Sequence, residues 1–187
     1  MVYDDTHGTL DSPRRPEQVV VIEGAAEFLK GLRKAGYFTV VVTNQPGIAK
    51  NTLSTGDLEH VNHRLSHLLS EKGAGWDELR FCPHHPTGGV EPHTTYVQEC
   101  ECRKPKPGML IKAAADLNLD LGESWMVGDG LNDVQAGNAA GCRTILVANL
   151  KVEQVRRFFE MEDCEPDFVA RDLKKALRII TGQGEGS

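Results

Sequence analysis

Gly36-Tyr37-Phe38-Thr39-Val40-Val41-Val42-Thr43-Asn44-Gln45 decides the fold. Before it, Gly24 to Ala35 carries apolar residues at Ala25, Phe28, Leu29 and Leu32, the stripe of an amphipathic helix. Gly36 ends that helix. Tyr37 to Val42 is then a β-branched run of the length of a buried strand. A helix followed by a strand, and the strand followed by polar residues, is the unit from which parallel sheets are built.

The rest of the chain repeats this alternation. Thr55 to Lys72 places Leu58, Val61, Leu65 and Leu68 on one helical face, and Gly73 closes it. Leu79 to Cys82 is a short strand. Pro107 opens a helix to about Leu117. Trp125 to Gly128 is a strand, Leu131 to Ala140 a helix, and Thr144 to Ala148 a strand. Pro166 to Ala170 is a last strand and Arg171 to Ile180 a last helix. The expected fold is α/β: a mostly parallel sheet with helices on both faces, forming one domain over 1–181. The glycine-rich tail, 182–187, is expected to be disordered.

In such sheets ligands gather beyond the C-terminal strand ends. The residues there are Thr43-Asn44-Gln45, Cys82, and Gly128-Asp129-Gly130. Cys82-Pro83-His84 is followed, after 15 residues, by Cys100-Glu101-Cys102. Three thiolates and one imidazole make a closed tetrahedral zinc set, which is structural because it leaves no open position. The intervening loop holds Pro86, Gly88, Gly89 and Pro92 and needs such a clip. His85 and His93 rank below His84 as ligands. Cys142 and Cys164 stand apart from the cluster. His60, His63 and His67 share a helix face roughly opposite the leucine stripe, so they read as solvated surface.

Thr43 and Asn44 offer a hydroxyl, an amide and backbone N–H groups to a phosphoryl oxygen. Arg103-Lys104 follows the last zinc ligand directly. Lys104 can neutralise charge on a transferring phosphoryl group, and Arg103 can grip a substrate oxygen in two places. Asp129, between Gly128 and Gly130, is a hard carboxylate suited to Mg²⁺, and glycine on either side lets backbone approach a ligand closely. Asp133, in the first helical turn, serves either that site or the helix itself. The candidate catalytic residues are Lys104 and Thr43. Those for substrate binding are Thr43, Asn44, Arg103, Lys104 and Gly130, with Asp129 for magnesium.

Bulk properties fit this picture. The 187 residues are 40% hydrophobic and 26% charged, as expected of a soluble globular protein. A formal charge of −6 argues against broad nucleic-acid binding. No apolar run is long enough to span a membrane, and the first residues lack the pattern of a signal peptide. The expectation is a cytoplasmic monomer or weak oligomer whose partner is a small phosphorylated metabolite. Of the five cysteines, the three that flank one loop, Cys82, Cys100 and Cys102, read as metal before disulfide.

The chain resembles the haloacid dehalogenase (HAD) superfamily. Within it, the likeness is to D-glycero-D-manno-heptose 1,7-bisphosphate phosphatases and the related histidinol-phosphate phosphatases. It is carried by VVVTNQPGIAK (40–50), FCPHHPTGG (81–89), CECRKPKPGML (100–110) and WMVGDGLNDVQAG (125–137). The resemblance implies a Rossmann-like fold and Mg²⁺-dependent hydrolysis of a small sugar phosphate. It implies that Thr43 and Asn44 bind the transferring group, Lys104 stabilises it, Arg103 recognises substrate and Asp129 holds Mg²⁺. Zinc falls to Cys82, His84, Cys100 and Cys102. The length of the zinc loop resembles the heptose-bisphosphate branch.

The resemblance also implies an aspartate nucleophile, with a second aspartate two residues on as acid and base. The sequence holds no Asp-x-Asp. Its nearest match is Asp5-Thr6-His7-Gly8-Thr9, with His7 in the acid/base place. Two expectations follow: an altered motif at Asp5, or a first strand and both catalytic aspartates missing from the chain. The second makes it a poor phosphatase. The alternatives to the heptose substrate are histidinol phosphate, or a zinc-stapled pseudo-enzyme that binds phosphosugars without turnover.

Overall fold

The computed structural model of the chain describes residues 12–148 and 164–182. The expectations for a first strand and for Asp5 and His7 lie outside the described residues, as does the tail from 183 onward. The chain divides into two compact units, Met1–Cys100 and Glu101–Ser187.

In the first unit, α1 (Ala25–Lys34) leads to β1 (Val40–Asn44), the short α2 (Pro46–Ala49), α3 (Thr55–Ser70) and β2 (Glu78–Cys82). β1 and β2 pair in parallel, with Val40 opposite Glu78 and Asn44 opposite Cys82. β1 starts three residues later than the β-branched run suggests. Asp77 is the reason: its Oδ2 accepts both the N–H and the hydroxyl of Thr39, at 2.7 and 2.8 Å. The Thr39 carbonyl in turn accepts the N–H groups of Asp77 and Glu78. Thr39 is thereby committed to a clasp, pairing begins at Val40, and Phe38 is left 48% exposed.

The strand also ends later, so Thr43 and Asn44 are its last two residues rather than the loop beyond it. α2 carries no hydrophobic period and went unread in the sequence. Pro46 fixes its first φ, while Ile48 and Ala49 are buried. α3 is started by a capping box between Ser54 and Asp57, with Ser54 Oγ accepting the Asp57 N–H at 3.0 Å. Its buried face holds Leu58, Val61 and Leu69, and His60, His63 and His67 are exposed as expected. Ala26, Leu69 and Ala74 form one core cluster, and Ile48, Leu53 and Leu58 another, with Tyr96 against it.

In the second unit, α4 (Gly108–Leu117) precedes β3 (Trp125–Gly128), α5 (Leu131–Ala140), β4 (Arg143–Val147), β5 (Phe168–Ala170) and α6 (Leu173–Ile180). The strands pair in parallel in the order β3-β4-β5. The clasp seen at Thr39 recurs here. Asp167 Oδ2 accepts the N–H and the hydroxyl of Thr144, at 2.7 and 2.9 Å. Thr144 is fully buried, and β5 is correspondingly shorter than the expected Pro166 to Ala170. α6 starts at Leu173 because Asp172 caps it, accepting the Lys175 N–H at 2.7 Å. Val134, Leu146 and Cys164 anchor this unit's core. Every pairing in both sheets is parallel. Among the described residues, no helix is long and apolar enough to cross a membrane.

Candidate active site and metal centre

The zinc residues converge. One donor atom from each of Cys82, His84, Cys100 and Cys102 lies within 4.8 Å of all the others. Cys82 Sγ is 3.6 Å from Cys100 Sγ and 3.7 Å from His84 Nδ1. Two donors each about 2.3 Å from a tetrahedral ion stand about 3.7 Å apart, so this spacing fits zinc. None of the five cysteines is in a disulfide. The unit boundary falls inside Cys100-Glu101-Cys102 itself.

His85 and His93 are used otherwise. His85 Nδ1 accepts the Thr87 N–H at 3.3 Å, and His93 lies against the Tyr96 ring with centroids 4.9 Å apart. The His93 N–H donates to the Ala49 carbonyl at 3.0 Å, so the metal loop is fastened to α2. Cys142 is buried and burial pushes its thiol pKa up, which keeps it an inert thiol.

Thr43 and Asn44 lie opposite Phe81 and Cys82 at the C-terminal edge of the β1–β2 pair. Cys82, a member of the metal-type cluster, thus ends the strand beside the candidate phosphate residues. The N–H of Gln45 continues the pairing to the Cys82 carbonyl at 2.8 Å, and Gln45 Nε2 donates to Thr43 Oγ1 at 3.3 Å.

In the second unit, Lys104 Nζ stands 2.6 Å from Asp133 Oδ1, with side chains only 11% and 13% exposed. The other carboxylate oxygen, Oδ2, accepts the N–H groups of Asp129 and Gly130 at 3.2 and 3.3 Å. Asp133 therefore organises the site: one oxygen holds the ammonium and the other shapes the turn that presents Asp129. The Asp129 carboxylate is exposed, and among the described residues it makes no hydrogen bond or ion pair. The sequence named Asp133 but left its role open, because its partner lies 29 residues away.

Two glycines allow this arrangement. A Cβ on Gly128 would run into the Asp133 side chain. One on Gly108 would run into the Glu101 carbonyl, which instead accepts the Gly108 N–H at 3.0 Å and closes the Arg103-Lys104 loop. Lys106 Nζ reinforces that loop by pairing with Glu101 Oε1 at 3.0 Å. Lys104-Pro105 is a cis peptide.

The chain is 38% identical over 151 residues to the D-glycero-beta-D-manno-heptose-1,7-bisphosphate 7-phosphatase of Pasteurella multocida, covering 78% of this chain and 80% of that one. It is also 38% identical over 173 residues to the D-glycero-D-manno-heptose-1,7-bisphosphate 7-phosphatase of Chlorobaculum tepidum, covering 89% and 84%. The chain belongs to this phosphatase family. Further members of the heptose-bisphosphatase family, at 39–42% identity, align over 123 residues, which is 63–64% of their length. The HAD-hydrolase-like family model matches residues 101–176. Among solved structures, the D,D-heptose 1,7-bisphosphate phosphatase of B. bronchiseptica, complexed with magnesium and phosphate, superposes with a TM-score of 0.74. It is 28% identical and covers 91% of this chain and 89% of that one. The heptose-bisphosphatase family is one of phosphoric monoester hydrolases of the HAD type, and the parallel α/β fold expected from the sequence is the fold these proteins share.

Proposed function

We propose that the chain acts on D-glycero-D-manno-heptose 1,7-bisphosphate and removes the 7-phosphate in a Mg²⁺-dependent reaction, with residues 1–181 working as one phosphatase domain. The observation that carries this reading is the link of Lys104, Asp133 and Asp129. One oxygen of Asp133 holds the Lys104 ammonium and the other the backbone of the turn that carries the exposed Asp129 carboxylate, which suits a phosphoryl group and its counter-ion. Asp129 would hold Mg²⁺, which when bound neutralises phosphoryl charge and orients it. Zinc would be structural, held by Cys82, His84, Cys100 and Cys102. No step passes through it.

On this reading each residue has a separate task. Thr43 donates its hydroxyl and Asn44 its amide to phosphoryl oxygens. Lys104 stabilises the negative charge that builds on the transferring group. Arg103 grips a substrate oxygen and bears on substrate choice. Gly130, without a side chain, would let its backbone come close to the substrate. The attacking carboxylate that the resemblance implies is not among the described residues.

One observation favours a second reading, a module that binds phosphosugars but turns them over poorly: the sequence holds no Asp-x-Asp. One experiment separates the two. Phosphate release from D-glycero-D-manno-heptose 1,7-bisphosphate and from histidinol phosphate is followed with Mg²⁺, beside direct binding of both compounds. Release that Asp129→Asn and Lys104→Ala abolish supports the enzyme. Binding without release supports the module. Neither binding nor release would sink both.

A further inference from the structure

Gln45 stands at the N-cap of α2, a place where short polar side chains usually close back on the helix. It makes no such capping bond. Its amide turns the other way and donates through Nε2 to Thr43 Oγ1 at 3.3 Å. Its main chain is held on both sides: the N–H donates to Cys82 O at 2.8 Å, and the carbonyl accepts the Ile48 N–H at 3.3 Å. The Gln45 backbone is thus fixed relative to the strand end that carries Cys82, and the side chain reaches back to Thr43 from that anchored position.

We propose that Gln45 is a positioning residue that sets the Thr43 hydroxyl as a donor toward an anionic phosphoryl oxygen. The inference rests on the reading of Thr43 as a phosphoryl ligand. A hydroxyl has one proton to give and two lone pairs to receive with. The ionised oxygens of a phosphate only accept hydrogen bonds, so Thr43 must donate to them. A neighbour that donates to Oγ1 fills a lone pair and leaves the proton available, and such chains of hydrogen bonds reinforce one another. The hydroxyl's contact with the Asn44 carbonyl is 3.5 Å, too long to hold that proton firmly. A carboxylate at position 45 would do the opposite, drawing the proton away and adding a repelling charge.

The test uses the full chain with Mg²⁺ and inorganic phosphate as the probe, read by titration calorimetry with thermal midpoints as a folding check. Gln45→Met, which keeps length but donates nothing, is expected to weaken phosphate binding about three- to tenfold. Gln45→Glu is expected to weaken it more. Thr43→Ser should retain affinity and Thr43→Val should lose it. In the Thr43→Val background, Gln45→Met should change little further, because its effect passes through the missing hydroxyl. The assignment is overturned if the two single effects multiply in the double variant, or if Gln45→Glu binds phosphate as the parent does. If Thr43→Val itself binds like the parent, the phosphoryl reading of Thr43 fails, and this assignment with it.

Discussion

Asp133 gives one carboxylate oxygen to Lys104, at 2.6 Å, and the other to the backbone of Asp129 and Gly130. A single side chain therefore ties the ammonium to the loop that carries the free carboxylate. The pairing holds the Lys104 ammonium in place, and the same side chain restrains the Asp129 turn from within the same unit. Losing either contact should be felt by the other.

Asp133→Asn and Asp133→Ala should accordingly lower turnover more than they raise KM. Lys104→Ala should cost roughly 10²-fold or more in kcat. The double variant Lys104→Ala/Asp133→Ala should be little worse than the poorer single variant, since the two act as a unit. Steady-state kinetics of the three variants checks this, and strictly multiplicative losses would contradict it.

Gly128→Ala should disturb the same unit sterically. The new methyl meets the Asp133 side chain, so the carboxylate must leave its donors. A loss of about 1–3 kcal/mol in stability is expected, with turnover falling alongside. A chain with parental thermal midpoint and parental kinetics would show that the loop gives way cheaply.

Purified protein should contain about one equivalent of zinc per chain. Structural zinc of this kind contributes on the order of 10 kcal/mol to ordering its surroundings. Cys82→Ser or Cys100→Ser should therefore lower the thermal midpoint sharply, as should a strong chelator. Cys142→Ser and Cys164→Ser should leave metal content unchanged. Metal analysis with thiol titration decides the matter.

Acid should unfold the first unit partly through Asp77. Its hydrogen bonds from the Thr39 N–H and hydroxyl hold its carboxyl below the ordinary value of 3.8, with Arg33 helping. A lowered native pKa means that the unfolded chain takes up the proton first. The stabilisation is full above the unfolded value and disappears as pH falls through the native one. Asp57, lowered by Ser54, and Asp172, lowered by the Lys175 N–H, follow the same sign. Melting curves between about pH 2 and 5 should show the slope, and Asp77→Asn should flatten it. An unchanged slope would remove Asp77 from the account.

Replacing His60, His63 and His67 together by Gln should leave stability within about 0.5 kcal/mol and zinc content unchanged. All three are exposed on α3, and their ring nitrogens belong to no metal-type cluster among the described residues. A loss of bound zinc in that triple variant would contradict the assignment of the metal to the cysteine cluster.

What could be read in the sequence follows from range. The strands, the glycine stops and the Cys-x-His and Cys-x-Cys pairs declare themselves within a few residues. So does the solvated histidine face, because helical period is local. α2 stayed hidden because four residues cannot display a period. The role of Asp133 stayed hidden because its partner is Lys104. The start of β1 was misplaced because Asp77, which arrests Thr39, lies 38 residues downstream. Gln45 was seen only as a polar residue after a strand, since its direction is a property of the folded turn.

The recurrence of the Thr–Asp clasp has a consequence for how such a chain can change over generations. Thr39–Asp77 and Thr144–Asp167 each fix where two parallel strands begin to pair. Asn44 then arrives opposite Cys82 by counting from the clasp, whatever the intervening segment does. Closing a loop twice as long costs only about 0.6 kcal/mol more. Residues in the loops that connect the clasped strands can therefore be gained or lost at small expense, while an insertion of one residue between Thr39 and Thr43, or between Asp77 and Cys82, would carry the later side chains of that strand to the opposite face.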